Sequence, residues 1–128
     1  MTGNAYTLVS IDHVQLAMPP GDEAVARQFY RDLLGMREAP KPPAMAARGG
    51  CWFEAHGVRL HLGVEPGFRP ARKAHPAICV QGLHPLAERL EAHGAAVRWD
   101  TELEGYARFF VDDPFGNRLE FLESLDAD

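Results

Sequence analysis

Only two cysteines, Cys51 and Cys79, occur in the 128 residues, and both fall inside strand-like apolar runs. No disulfide framework is expected from so few, and both read as buried thiols. No apolar run approaches the roughly 20 residues that span a bilayer. The opening residues, Met1 to Thr7, lack the basic start and apolar block of an export signal. A soluble, cytoplasmic protein with no membrane partner is the expectation. Positive charge is also short: 13 Lys and Arg face 18 Asp and Glu, a formal net charge of −5. That balance excludes a nucleic-acid binder working by phosphate neutralisation and points to a small-molecule partner. One domain of this length buries about two thirds of its unfolded surface and needs no staple.

What the chain does contain is organised around Asp112-Asp113-Pro114-Phe115-Gly116-Asn117-Arg118-Leu119-Glu120-Phe121. Asp-Pro and Phe-Gly-Asn predict a tight turn, because proline fixes φ and Gly or Asn tolerates φ > 0. The strand leaving that turn alternates, with Leu119 and Phe121 on one face and Arg118, Glu120 and Leu122 on the other. Glu120 is thereby aimed away from the packed face. Three histidines on other strand-like runs, His13, His61 and His75, are its candidate partners at a metal.

The chain divides into two similar halves. In the first, about 8–64, a strand over Val9 to Met18 carries His13, Gln15 and Ala17 on its inner face, and Pro19-Pro20-Gly21 ends it. A helix follows, with Asp22 as N-cap and Val25, Phe29 and Leu33 as its stripe, stopped at Gly35. An extended piece near Met36 to Ala39 leads to an irregular, proline-rich loop over Pro40 to Gly50. Strands Cys51 to Ala55 and Val58 to Val64 close the half, the second with Arg59, His61 and Gly63 inward. The linker 65–74 carries the basic residues Arg69, Arg72 and Lys73, which could clamp an anionic substrate but read better as a solvated linker.

The second half, about 75–124, repeats the order. A strand over His75 to Val80 presents His75, Ala77 and Cys79, and a helix starts with Pro85 in its first position and ends at Gly94. Strands follow near Ala96 to Trp99, Tyr106 to Val111 and Arg118 to Glu123. Both halves read βαβββ, an α+β class. Each places an inward polar residue on its first and last strands.

With Asp12-His13-Val14, Phe29-Tyr30, Leu33-Leu34-Gly35, Asp113-Pro114-Phe115-Gly116-Asn117 and Leu119-Glu120-Phe121 in this order, the chain resembles the vicinal oxygen chelate superfamily. That superfamily holds glyoxalase I, extradiol dioxygenases, and fosfomycin- and bleomycin-resistance proteins. The resemblance implies an eight-stranded cup with the helices on its outer face, and a homodimer. It also implies a divalent metal (Zn, Ni, Mn, Co or Fe(II)) held by His13, His61, His75 and Glu120, with Glu120 the catalytic residue as well. Such an ion suits three imidazoles and one carboxylate with one or two sites left open.

Two functions stay open at this level. One is a glyoxalase-like, metal-dependent enzyme of lyase or isomerase type, or a dioxygenase, acting on a small substrate with vicinal oxygens. The other is a metal-free binding protein of the bleomycin-resistance type. The ligand set departs from glyoxalase I, where the last strand of the first unit supplies a carboxylate and His61 stands here. Gln15 and Arg118, two residues from proposed ligands, read as substrate-orienting or as supports of the ligands. His56, His84 and His93 read as structural, and Trp52, Trp99, Phe109 and Phe110 most simply as core, although one face of their strands must line the cup.

Overall fold

Alternation along the strands sorts the chain into two four-stranded sheets. The computed structural model describes residues 3 and 5–126. Strands β1 (Val14–Met18), β2 (Arg37–Ala39), β3 (Cys51–Ala55) and β4 (Val58–Val64) form a sheet in the order β1-β4-β3-β2. Strands β5 (Ala77–Cys79), β6 (Arg98–Asp100), β7 (Tyr106–Asp112) and β8 (Arg118–Ser124) repeat it as β5-β8-β7-β6. In each sheet the first strand runs parallel to the last, and the remaining pairs are antiparallel. The duplicated βαβββ order read from the sequence is the observed one. Among the described residues no ladder joins the two sheets, so β1 and β5 are both edges.

Register explains which side chains are packed. Leu60 pairs with Val14 and Phe53, and Leu62 with Leu16 and Cys51, so these point to one face. Phe109 and Phe121 pair likewise in the second sheet. Helices α1 (Glu23–Ala26), which continues as a π-helix over Arg27–Leu33, and α3 (Leu83–Ala92) cover that face. The wider π winding leaves the consecutive residues Phe29 and Tyr30 both buried. Asp22 makes no side-chain cap at the start of α1. The N-terminus of α3 is capped from β8 instead: Gly82 and Leu83 N–H groups donate to Glu123 at 3.2 and 3.0 Å. Helix α3 starts at Leu83, so Pro85 is its third residue rather than its first.

The structure corrects several sequence expectations. Pro40 to Gly50 is not wholly irregular, because Pro43–Ala46 forms one turn of helix, α2. Cys51 is buried, but Cys79 is exposed on edge strand β5. Trp99 lies on the surface, 44% exposed, where it stacks on His84. The first strand begins at Val14, not Val9, which leaves His13 just ahead of it, as His75 is ahead of β5. The preceding arm has no strand partner among the described residues, and its apolar Leu8, Val9 and Ile11 are 89%, 88% and 81% exposed.

The two units are locked by the turn that the sequence singled out. Gly116 at φ 94° lets the chain reverse, with Asp113 N–H bonded to Asn117 O at 2.8 Å. Buried Asp113 accepts from Tyr30 Oη at 2.6 Å, across the unit boundary, and from Asn117 Nδ2 at 3.0 Å. Asn117 Nδ2 also donates to Ala17 O at 2.8 Å, tying β8 to β1. Burial pushes the Asp113 carboxyl above its ordinary range, against four hydrogen bonds that pull it down. Tyr30→Phe would leave that buried carboxylate one donor short. It should lower unfolding free energy by about 1–3 kcal/mol in a urea titration. A change of zero would show that the lock carries no stability.

No helix among the described residues is long and apolar enough to cross a membrane.

Candidate functional site

The faces opposite the core carry the polar residues. On the first sheet, His61 on β4 lies between Gln15 on β1 and Trp52 on β3. Its ring stacks on His13 at 3.9 Å and on Trp52 at 4.2 Å, a three-ring pile on the inner face. Gly63 makes room beside it: a Cβ there would fall 2.5 Å from Gln15 Nε2, so the glutamine lies across the strand. His13 Nδ1 is 2.9 Å from Asp12, whose other oxygen accepts from Arg59 at 3.0 Å. A carboxylate accepts, so Nδ1 carries the hydrogen and His13 Nε2 offers a lone pair. Burial, and next the neighbouring His13, hold His61 below the usual imidazole range. That favours its uncharged ring.

On the second sheet His75, Glu120, Phe110 and Arg108 share the inner face. Glu120 pairs with Ala77 on one side and Phe110 on the other, and is only 5% exposed. His75 Nδ1 is 2.7 Å from the Lys73 carbonyl, which can only accept, so this nitrogen is the protonated one. His75 Nε2 lies 2.8 Å from Glu120 Oε1, so a neutral ring would set lone pair against lone pair there. Such a contact is favourable when a positive charge, a proton or a metal ion, sits between the two atoms. The other carboxylate oxygen accepts from Arg108 Nη1 at 3.1 Å, and Arg108 also bonds Asp100 at 3.1 Å. Arg108 and Arg118 both approach the Phe110 ring, at 5.2 and 5.8 Å from its centroid.

The four candidate ligands are thus found as two pairs, His13 with His61 and His75 with Glu120. Within the chain, the described residues include no group of three or more His, Cys, Asp or Glu able to hold a metal ion. Each pair separately fits a divalent ion in its chemistry, with both leading histidines anchored through Nδ1 by an oxygen, the support that metal-bound imidazoles ordinarily have. Arg108 was missed in the sequence. Alternation along Tyr106, Arg108, Phe110 and Asp112 places it on the inner face, but nothing marks which inner residue reaches the carboxylate. Trp52 and Phe110 belong to this face rather than the core. His56 occupies the β3–β4 turn at φ 51°, and His93 Nδ1 lies 2.9 Å from Arg89 O.

Paired βαβββ units with polar inner faces and helices outside define a cup-shaped small-molecule fold. The family model for the Glyoxalase/Bleomycin resistance protein/Dioxygenase superfamily matches residues 10–121, and the chain belongs to that superfamily. It is similar to a Bacillus anthracis protein assigned to the glyoxalase family, with 44% identity, a TM-score of 0.91, and coverage of 94% of this chain and 99% of that one. A fosfomycin resistance protein, FosX, from Listeria monocytogenes, crystallised with Mn(II) and a dihydroxypropylphosphonic acid, shares 14% identity at a TM-score of 0.76, with 92% and 94% of the chains covered. A lactoylglutathione lyase from Agrobacterium tumefaciens shares 20% at 0.65, covering 94% and 96%. At those two identities the likeness is one of fold. No match is found among curated proteins.

Proposed function

We propose that the protein is a divalent-metal-dependent enzyme of lyase or isomerase type acting on a small substrate with vicinal oxygens. His13 and His61 of one chain and His75 and Glu120 of a second copy would hold the ion. The observation that carries this reading is the approach of His75 Nε2 to Glu120 Oε1 at 2.8 Å, with Nδ1 already committed to Lys73 O. Bound there, a divalent ion would act as a Lewis acid toward a developing oxyanion. The protein's share is to orient the imidazoles through Asp12 and Lys73 O, and to place Glu120 as the proton acceptor beside the substrate. The exposed apolar arm and the edge strands β1 and β5 support a homodimer, in which a second copy would cover them.

A second reading has one observation of its own. Arg108 already balances Glu120, so an imidazolium at His75 would complete a metal-free network of the kind a binding protein could carry. Elemental analysis and thermal melts separate the two. The enzyme reading expects stoichiometric metal in untagged protein, and a higher melting temperature on adding Mn, Ni, Zn, Co or Fe(II). Absence of both sinks it.

A further inference from the structure

Arginines gather beside the His75–Glu120 pair of the second unit. Arg69 and Arg72 from the linker, Arg98 from β6 and Arg118 from β8 line one cavity of about 650 Å³. Among the described residues Asp112 is the only acid on its wall, and it pairs with Arg98 at 3.0 Å. Among the described residues no carboxylate lies within ion-pair distance of Arg69, Arg72 or Arg118. In a chain of net charge −5 this is a local reversal of sign.

The linker holding two of these arginines is fixed to the turn beneath it. Pro70 packs so closely on Gly116 that a Cβ at Gly116 would lie 3.1 Å from Pro70 Cγ. Phe68 meets Phe115 edge to face at 6.5 Å, and Lys73 O anchors the His75 ring. The linker is exposed, as expected of a solvated segment, and these contacts hold its charge at a set place. The same Arg69, Ala71 and Arg118 also line a second cavity, of about 710 Å³, whose wall includes Gln15, His75 and, as its one acid, Glu65. The two cavities therefore join the arginines to His75.

We propose that Arg69, Arg72, Arg98 and Arg118 bind a multiply charged oxyanion at one end of the substrate, a phosphate or a dicarboxylate, while its other end lies at His75 and Glu120. This names the substrate class for the site proposed above and rests on that reading; the anion subsite itself needs no metal. Guanidinium groups suit such oxyanions through paired N–H donors.

Calorimetric titration of metal-stripped wild-type protein, in chelator and low salt, with inorganic phosphate and separately with succinate tests it. One of the two should bind saturably, and the response shows whether phosphorus or carboxylate oxyanions are preferred. The double variant Arg69→Gln/Arg72→Gln, whose residues are exposed, should weaken that binding about tenfold or more, Arg118→Gln similarly, and Arg118→Lys should retain part of it. Added salt should weaken binding in the wild type. No saturation by either anion up to about 10 mM, or equal affinity in wild type and both Gln variants, overturns the proposal. Metal uptake measured on the same preparations separates the readings. Protein that takes up metal but neither anion refutes the anion subsite alone, and protein that binds anion but no metal refutes the metal site alone.

Discussion

Glu120→Gln should weaken divalent-metal binding by about 100-fold or more, since loss of a mere support for a ligand costs up to that much. Glutamine keeps the shape and one acceptor oxygen but removes the charge. Three consequences then fall on one buried position. His75 Nε2 loses the anionic oxygen 2.8 Å away. Arg108 loses one of its two carboxylates and keeps only Asp100. The proposed proton acceptor is gone. Calorimetry with Mn or Ni reads the first effect and turnover of a vicinal-oxygen substrate the third. Metal affinity equal to wild type in a folded variant would remove Glu120 from the ligand set. The metal-free reading expects a different pattern, in which neither protein binds metal and the variant loses only the charge balance around Arg108.

Much of this site was legible because strand alternation is a hard constraint. Once Leu119 and Phe121 are packed, Glu120 has only the inner face to occupy, and the same parity puts His61 opposite Leu60 and Leu62. The Asp113 to Asn117 turn was equally readable, since proline and glycine fix local dihedrals. What it does in three dimensions was not. Nothing local says that Asp113 receives Tyr30 from 83 positions away, or that Asn117 reaches Ala17 across 100. Edges failed for a related reason. Val9 and Ile11 continue the alternation of β1, yet a strand exists only where a neighbour supplies its ladder, and within the chain β4 reaches no further than Val14. Aromatic residues misled because composition alone cannot tell a core ring from one lining a cup: Phe109 is fully buried while its neighbour Phe110 faces Arg108 and Arg118.

That truncated edge matters for how the ligand pairs meet. They sit on separate sheets of one chain, and an apolar arm leads directly into His13. If the pairs complete each other between copies, two individually dead proteins should rescue one another. One variant combines His13→Ala with His61→Ala, the other His75→Ala with Glu120→Gln. Alone, each homodimer contains only half-destroyed sites and should hold no tightly bound ion. Co-refolded in equal amounts, half of the dimers are mixed. In each mixed dimer one site unites both intact pairs and the other unites both damaged ones. Tight metal should therefore return at about one ion per four chains, where wild type holds about one per chain. A site closed within a single chain gives no recovery, because every chain carries a lesion in its own site. Light scattering at a mass near 14.2 kDa for the wild type would exclude the shared site by a separate route, leaving no second copy to supply the missing pair.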